Sequence, residues 1–392
     1  MRYAEGSSWS AYEGRDICYA GGPHDAALPM DDSAAVAGDI ELESESLERV
    51  APADASQFKF DLVFGCQTSI TGLFKTQLAD GIMGMENSGT AFWNQMYVTQ
   101  AIPKPEFSLC FSRSDVVDEE GTGAGAMTLG GGEPRLHTTP MVFAKNLRSS
   151  GFYAVHLKAV FLREEGGTSA NAAEGETDRM INLGLSESQL NDGKVIVDSG
   201  TTDTHFTRQL AASFKTAWKQ LTGTDYNHSP VSLTPEQLAA LPTIVLFMSG
   251  YDGDPVGDEP AAEPNAVPGY VGDNAGQWAE PRDVALTIPA SHYMELDSDT
   301  GQYTSRFYVE ERSGSVLGAN AMMGHDVYFD TARGRIGFAQ SDCDYASLVA
   351  AAGTGAAEPV PHTASMKIAV DEEMEEMEEK MEEEVEEMEG NE

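Results

Sequence analysis

The sequence predicts an all-β body followed by an acidic tail, on three observations. Short apolar or alternating runs recur along the chain: Phe58 to Phe64, Phe107 to Phe111, Phe152 to Leu162, Val195-Ile196-Val197, Thr243 to Met248 and Val327-Tyr328-Phe329. Gly, Asp or Pro breaks most of them, the pattern of sheets joined by tight turns. Clear helical patterns are few. Finally, the segment from Asp371 to Glu392 holds 14 acidic residues and a single lysine.

Each element follows from its own pattern. Arg208 to Leu221 places Leu210, Phe214, Ala217 and Leu221 at a period near that of a helix, and Thr234 to Leu241 reads as a shorter helix with Pro235 at its first position. Pro23 to Gln57, Glu164 to Arg179 and Tyr251 to Glu280 are acidic or dense in Gly, Ala, Pro and Asp. They lack the apolar content that offsets ordering entropy and read as surface insertions. Ala351 to Thr363 is an Ala/Gly/Pro linker. In the tail, Met374, Met377, Met381, Val385 and Met388 form one apolar stripe at helical spacing within nearly pure Glu. Like-charge repulsion makes that segment a disordered or half-helical solvating tail, the alternative being a coiled segment that needs a partner.

Charge excludes some partners. The 24 Lys+Arg against 64 Asp+Glu give a formal charge of −40, of which the tail carries −13 and the remainder −27. Nucleic acid and anionic membrane surfaces are therefore not expected as partners. No run of about 18 apolar residues suggests a membrane span. Cys18, Cys66, Cys110 and Cys343 are widely spaced, with no Cys-x-x-Cys and no clustered His, so zinc and iron–sulfur patterns fail on spacing. Four such cysteines fit two disulfides or four buried thiols equally well. The eight histidines are scattered, and His205 reads as a surface residue at a helix entry. Neither a Gly-x-Ser-x-Gly nor a P-loop is present.

The sharpest signal is Lys194-Val195-Ile196-Val197-Asp198-Ser199-Gly200-Thr201-Thr202. An apolar β-branched strand delivers Asp198 into a turn where Gly200 allows close approach of a ligand. Hydroxyls at Ser199, Thr201 and Thr202 are placed to bond the carboxylate. By itself, Asp-Ser-Gly is a common turn between strand and helix.

That stretch resembles the second catalytic motif of the pepsin-like aspartic proteases, and seven further segments resemble the family in order. Tyr3-Ala4-Glu5-Gly6-Ser7-Ser8-Trp9 resembles the flap hairpin, with Tyr3 at the flap tyrosine and Trp9 packing its base. Ala79-Asp80-Gly81-Ile82-Met83-Gly84-Met85, Phe107 to Phe111 and Met127-Thr128-Leu129-Gly130-Gly131 resemble successive N-lobe segments. Phe152 to Leu157 resembles the strand that opens the C-lobe. Ser315-Val316-Leu317-Gly318 is similar to the segment crossing beneath the second Asp, and Val327 to Ala339 to the closing hairpin.

The resemblance implies a bilobed all-β acid-protease fold with an incomplete N-lobe, plus the acidic tail. Residues 1–145 would be a partial N-terminal lobe beginning at the flap, with an insertion at 23–57. Residues 146–348 would be the C-terminal lobe, with insertions at 164–179 and 251–280, followed by a linker at 349–370 and the tail at 371–392. It implies an aspartic-type endopeptidase needing no cofactor, acting as a monomer on peptides or proteins. Asp198 would be catalytic; Tyr3, Gly200, Thr201 and Thr202 would meet the substrate; Ser199, Leu317 and Gly318 would support the loop. Cys110 and Cys343 stand where some relatives form a bridge, with Cys18 and Cys66 pairing together or with other cysteines. A bridge would place the protein in the secretory pathway, in a vacuolar, lysosomal or extracellular setting, and the acidic body fits work at low pH.

The family's first motif, apolar-Asp-Thr-Gly-Ser, normally lies upstream of the flap, where this sequence starts. The expectation is a native chain extending further upstream, the alternative a truncated homologue. The other Asp-Thr-Gly, Asp299-Thr300-Gly301, sits in a polar stretch and reads as a surface turn. With one catalytic carboxylate the chain as given is expected to be inactive. A second functional class is then a catalytically inactive peptide-binding or inhibitor-like homologue; a third is an acidic scaffold whose tail recruits partners.

Overall fold

The computed structural model describes residues 6–20, 59–75, 81–112, 124–165, 180–253, 282–345 and 348. Tyr3, the stretch 23–57, most of 164–179 and 251–280, the linker 349–370 and the tail 371–392 lie outside the described residues. Met1–Leu348 forms one unit and Val349–Glu392 another, and every described strand and helix belongs to the first.

The described residues are predominantly β, with strands in five sheets. A two-stranded ribbon pairs Trp9–Tyr19 with Lys59–Ile70, antiparallel, with a bulge between Ser10 and Ala11. A central antiparallel sheet runs in the order Gly125–Leu129, Glu106–Phe111, His325–Asp330, Arg335–Gln340, Val142–Lys145. It draws strands from both sides of the expected boundary at 145/146. The four-stranded antiparallel sheet is Val284–Ile288, Thr243–Met248, Leu157–Arg163, Met180–Asn182. Its two inner apolar runs, Thr243–Met248 and Leu157–Arg163, are almost wholly buried, so they read as continuous rather than alternating patterns. A hairpin, Met294–Asp297 with Gln302–Ser305, carries Asp299-Thr300-Gly301 in its exposed turn.

The fifth sheet positions the site. Its order is Phe307–Glu311, Thr204–Thr207, Ser315–Leu317, Val195–Val197, Tyr153–Val155. Val195–Val197 and Ser315–Leu317 pair in parallel, as do Thr204–Thr207 and Phe307–Glu311; the other pairs are antiparallel.

The apolar run expected as one strand from Phe152 to Leu162 is two strands in different sheets. The chain changes sheets at His156, whose carbonyl accepts from Ser249 N. The longer expected helix runs Ala211–Thr222, burying Phe214, Ala217 and Trp218 and ending at Gly223 with φ +74, a left-handed cap suited to glycine. The shorter one runs Pro235–Ala239, with Thr234 and Gln237 forming a capping box.

Two aromatic groups anchor the core. Phe329 stacks on Phe107 at 4.7 Å and meets Tyr153 at 4.5 Å, joining the central sheet to the sheet that bears Asp198. Phe214, Phe307, Trp218 and Tyr226 form the second, beneath the helix Ala211–Thr222.

Cys110 and Cys343 form a disulfide, while Cys18 and Cys66 are free thiols. Pairing of Cys18 with Cys66 is corrected by the ribbon register. Cys18 stands opposite Phe60, and Cys66 opposite Tyr12. Six positions at ~3.3 Å each put them roughly 20 Å apart, beyond the ~7 Å Cα limit of a disulfide. Among the described residues no helix is long and apolar enough to cross a membrane.

Candidate functional site

Asp198 leaves the end of Val195–Val197 half-buried, with its backbone N–H donating to the Leu317 carbonyl at 3.0 Å. The turn then folds back onto the carboxylate. Gly200 N–H donates to Asp198 Oδ1 at 2.9 Å, and Thr201 Oγ1 donates to Oδ2 at 2.8 Å. Each carboxylate oxygen thus has one donor from its own turn, which fixes the plane of the group. Among the described residues no cation lies within ion-pairing distance of Asp198. Ser199 and Thr202 make no side-chain hydrogen bond to it, so of the three hydroxyls expected around the carboxylate only Thr201 is engaged. Ser199 is partly exposed and Thr202 exposed.

A second segment clamps this turn from below. Ala319 N–H donates to the Thr201 carbonyl at 2.7 Å, and Asn320 N–H to the Thr202 carbonyl at 3.0 Å. Gly318 makes the fit possible. A Cβ there would lie 2.2 Å from the Asp203 carbonyl oxygen and 2.7 Å from that of Thr201. Both are backbone atoms that move only if the turn moves, so glycine answers a close approach here rather than a special torsion; its φ is −79. Leu317 is fully buried beneath the turn and supplies the carbonyl that receives Asp198 N–H.

Two supporting residues escaped the sequence reading. Buried Thr204 donates through Oγ1 to Asn320 Oδ1 at 2.6 Å and accepts from Gly318 N–H at 3.3 Å. Asn320 also donates through Nδ2 to the Arg306 carbonyl at 3.0 Å. These bonds tie the strand after the turn to the clamp segment. An Asn directly after the apolar-Gly-Ala stretch was the available signal, though nothing local says what it bonds.

No protein-family model and no curated protein matches the chain.

Of the other expected positions, Tyr3 lies outside the described residues. Gly6, beside Tyr3 in the expected flap, is exposed with φ +99, a conformation that favours glycine. Asp299 and Thr300 each donate a backbone N–H to Asp297 Oδ1, a local surface turn. His205, read as a helix-entry surface residue, instead sits half-buried on the strand Thr204–Thr207, with its ring stacked 4.9 Å from Tyr308. The helix begins six residues later, and Arg208 N–H donates to the Glu311 carbonyl at 2.8 Å.

Proposed function

We propose that this chain is an aspartic-type endopeptidase of pepsin-like architecture, two β-rich lobes flanking a cleft, with Asp198 as one of two catalytic carboxylates. The observation that carries the reading is the hold on Asp198. An apolar strand delivers it, Gly200 N–H and Thr201 Oγ1 each bond one oxygen, and the clamp from Ser315 to Asn320 supports the turn. A carboxylate so oriented is suited to take a proton from an attacking water. A protonated partner carboxylate would hydrogen-bond the scissile carbonyl, since two neighbouring carboxylates cannot both ionise cheaply. This sequence offers no second apolar-Asp-Ser/Thr-Gly strand, because Asp299 belongs to a surface turn. Hydrolysis therefore requires a partner carboxylate from elsewhere. That lone carboxylate favours a second reading, a peptide-binding homologue without hydrolysis. The Cys110–Cys343 disulfide supports a secreted or lumenal setting for either.

Fluorogenic peptides with apolar residues at the cleavage point, assayed from pH 3.5 to 7, test the first reading. A peptide carrying a secondary alcohol in place of one amide, titrated by calorimetry, tests binding. Cleavage that falls roughly 10²–10⁴-fold in Asp198→Ala supports the peptidase. Binding that survives Asp198→Ala, with no cleavage at any pH, supports the second reading. Absence of binding overturns the second reading, and absence of cleavage once a second catalytic carboxylate is supplied overturns the first.

A further inference from the structure

Behind the Asp198 turn lies a cluster of titratable groups that neither reading uses. Asp203 ends the turn, and the strand Thr204–Thr207 begins at the next residue. From that strand His205 lies nearly parallel to the Tyr308 ring, at 4.9 Å and 12°. His228, from the loop after the helix Ala211–Thr222, lies nearly parallel to the same ring at 4.5 Å and 12°. Its Nδ1 donates to the Ser305 carbonyl at 2.9 Å, and Tyr226 meets it edge-on at 5.4 Å. Arg306 connects the two halves of the cluster. It is ion-paired to Glu295, stands 3.9 Å from Asp203 Oδ2 and 3.5 Å from the Tyr308 hydroxyl, and its carbonyl accepts from Asn320. On the far side, Glu311 lies 3.7 Å from His205 Nδ1.

Asp203 is thus faced by Arg306, His205, His228 and Glu295. Burial holds its carboxyl above the ordinary carboxylate range and Glu295 acts in the same sense, while Arg306, His205 and His228 pull it back. Linkage fixes the sign. A raised carboxyl favours the protonated form in the folded turn, so its contribution to order is present in acid and is lost as pH rises through the folded value. The carbonyl of Asp203 is one of the two that crowd Gly318, so disorder at Asp203 reaches the clamp under Asp198 directly.

We propose that Asp203, backed by Arg306 and the His205–Tyr308–His228 stack, is a pH-responsive positioning element that holds the Asp198 turn in its binding geometry in acid and loosens it towards neutrality. Asp203 touches no substrate; it acts through the turn. The consequence for peptides rests on the peptide-binding reading above, whereas the coupling to the turn does not.

The test is an NMR titration of the full chain from pH 3.5 to 7.5, reading the Gly200 and Thr201 amides. Wild type is expected to show a step from Asp203, and Asp203→Asn should lose it. In His228→Gln the step should move to higher pH, because His228 lowers the Asp203 midpoint. Affinity for the alcohol-bearing peptide should fall roughly tenfold more between pH 4.5 and 7 in wild type than in Asp203→Asn, the scale of one linked proton. A step that persists unchanged in Asp203→Asn, or an unmoved step in His228→Gln, overturns the proposal. If no peptide binds at any pH while the step still vanishes in Asp203→Asn, the positioning role stands and the peptide-binding reading falls.

Discussion

His325 is buried in the central sheet, 2% exposed, where its Nδ1 donates to the Met323 carbonyl at 3.0 Å and Nε2 has no partner among the described residues. Burial holds its pKa down to about 4. The neutral imidazole therefore belongs to the fold, while in the unfolded chain the group titrates near its ordinary value of about 6.5. Its contribution is complete above pH 6.5 and is lost as pH falls towards 4, by about 3 kcal/mol. His325→Asn is expected to flatten the fall in unfolding free energy between pH 6.5 and 4. Urea unfolding at several pH values checks this, and an equal slope in both proteins would count against it. Asp203 works in the opposite sense, favouring the folded turn in acid. At this scale Asp198, Gly200 and Thr201 were legible because strand, acid, glycine and hydroxyl are adjacent in the chain. Thr204 and Asn320 were not, since their bond spans 116 positions and leaves no local pattern.

Among elements, the central sheet is tied at one end by a buried charge network. Asp330 Oδ2 accepts from Arg335 Nε at 2.7 Å and from Arg333 at 2.9 Å; Arg333 also reaches Glu106, whose carboxylate accepts from the Tyr328 hydroxyl. Arg335 lies 3.8 Å above the Phe143 ring, so it links three neighbouring strands. Removing one partner of a buried pair leaves the other uncompensated, and Arg335→Met is expected to cost roughly 3–5 kcal/mol. Chemical denaturation at pH 7 measures this; an unchanged midpoint would mean that Arg333 alone satisfies Asp330. Strands with strong apolar character, such as Thr243–Met248 and Glu106–Phe111, were visible in sequence at nearly their observed bounds. Thr204–Thr207 was not, because Thr-His-Phe-Thr has no decisive period and becomes a strand only between Phe307–Glu311 and Ser315–Leu317. Val284–Ile288 was a readable apolar run, hidden by the Pro/Gly/Asp-dense stretch before it.

Across the whole molecule, the Cys110–Cys343 disulfide closes 233 residues beside the central sheet. Loop-closure entropy for so long a span puts its contribution at the upper part of roughly 2–5 kcal/mol. The Cys110→Ser, Cys343→Ser double variant should lose that stability. Thiol titration of the unfolded, unreduced wild type should count two thiols, Cys18 and Cys66; a count of four would mean that the bridge does not form. Net charge is decided at this scale too: with −40 at neutral pH, carboxylate protonation relieves self-repulsion as His325 begins to oppose acid, so the pH of greatest stability is set by their balance. Sequence by itself determined the β-rich body, the acid excess and the strand-borne Asp198, because periodicity, composition and adjacent motif residues are local properties. Only the tertiary structure decided which cysteines meet, that Gly318 and Asn320 clamp the Asp198 turn, and that two distant histidines share one tyrosine. Those facts depend on strand register and sheet order, which long-range hydrogen bonding and core packing select and which no short window of sequence contains.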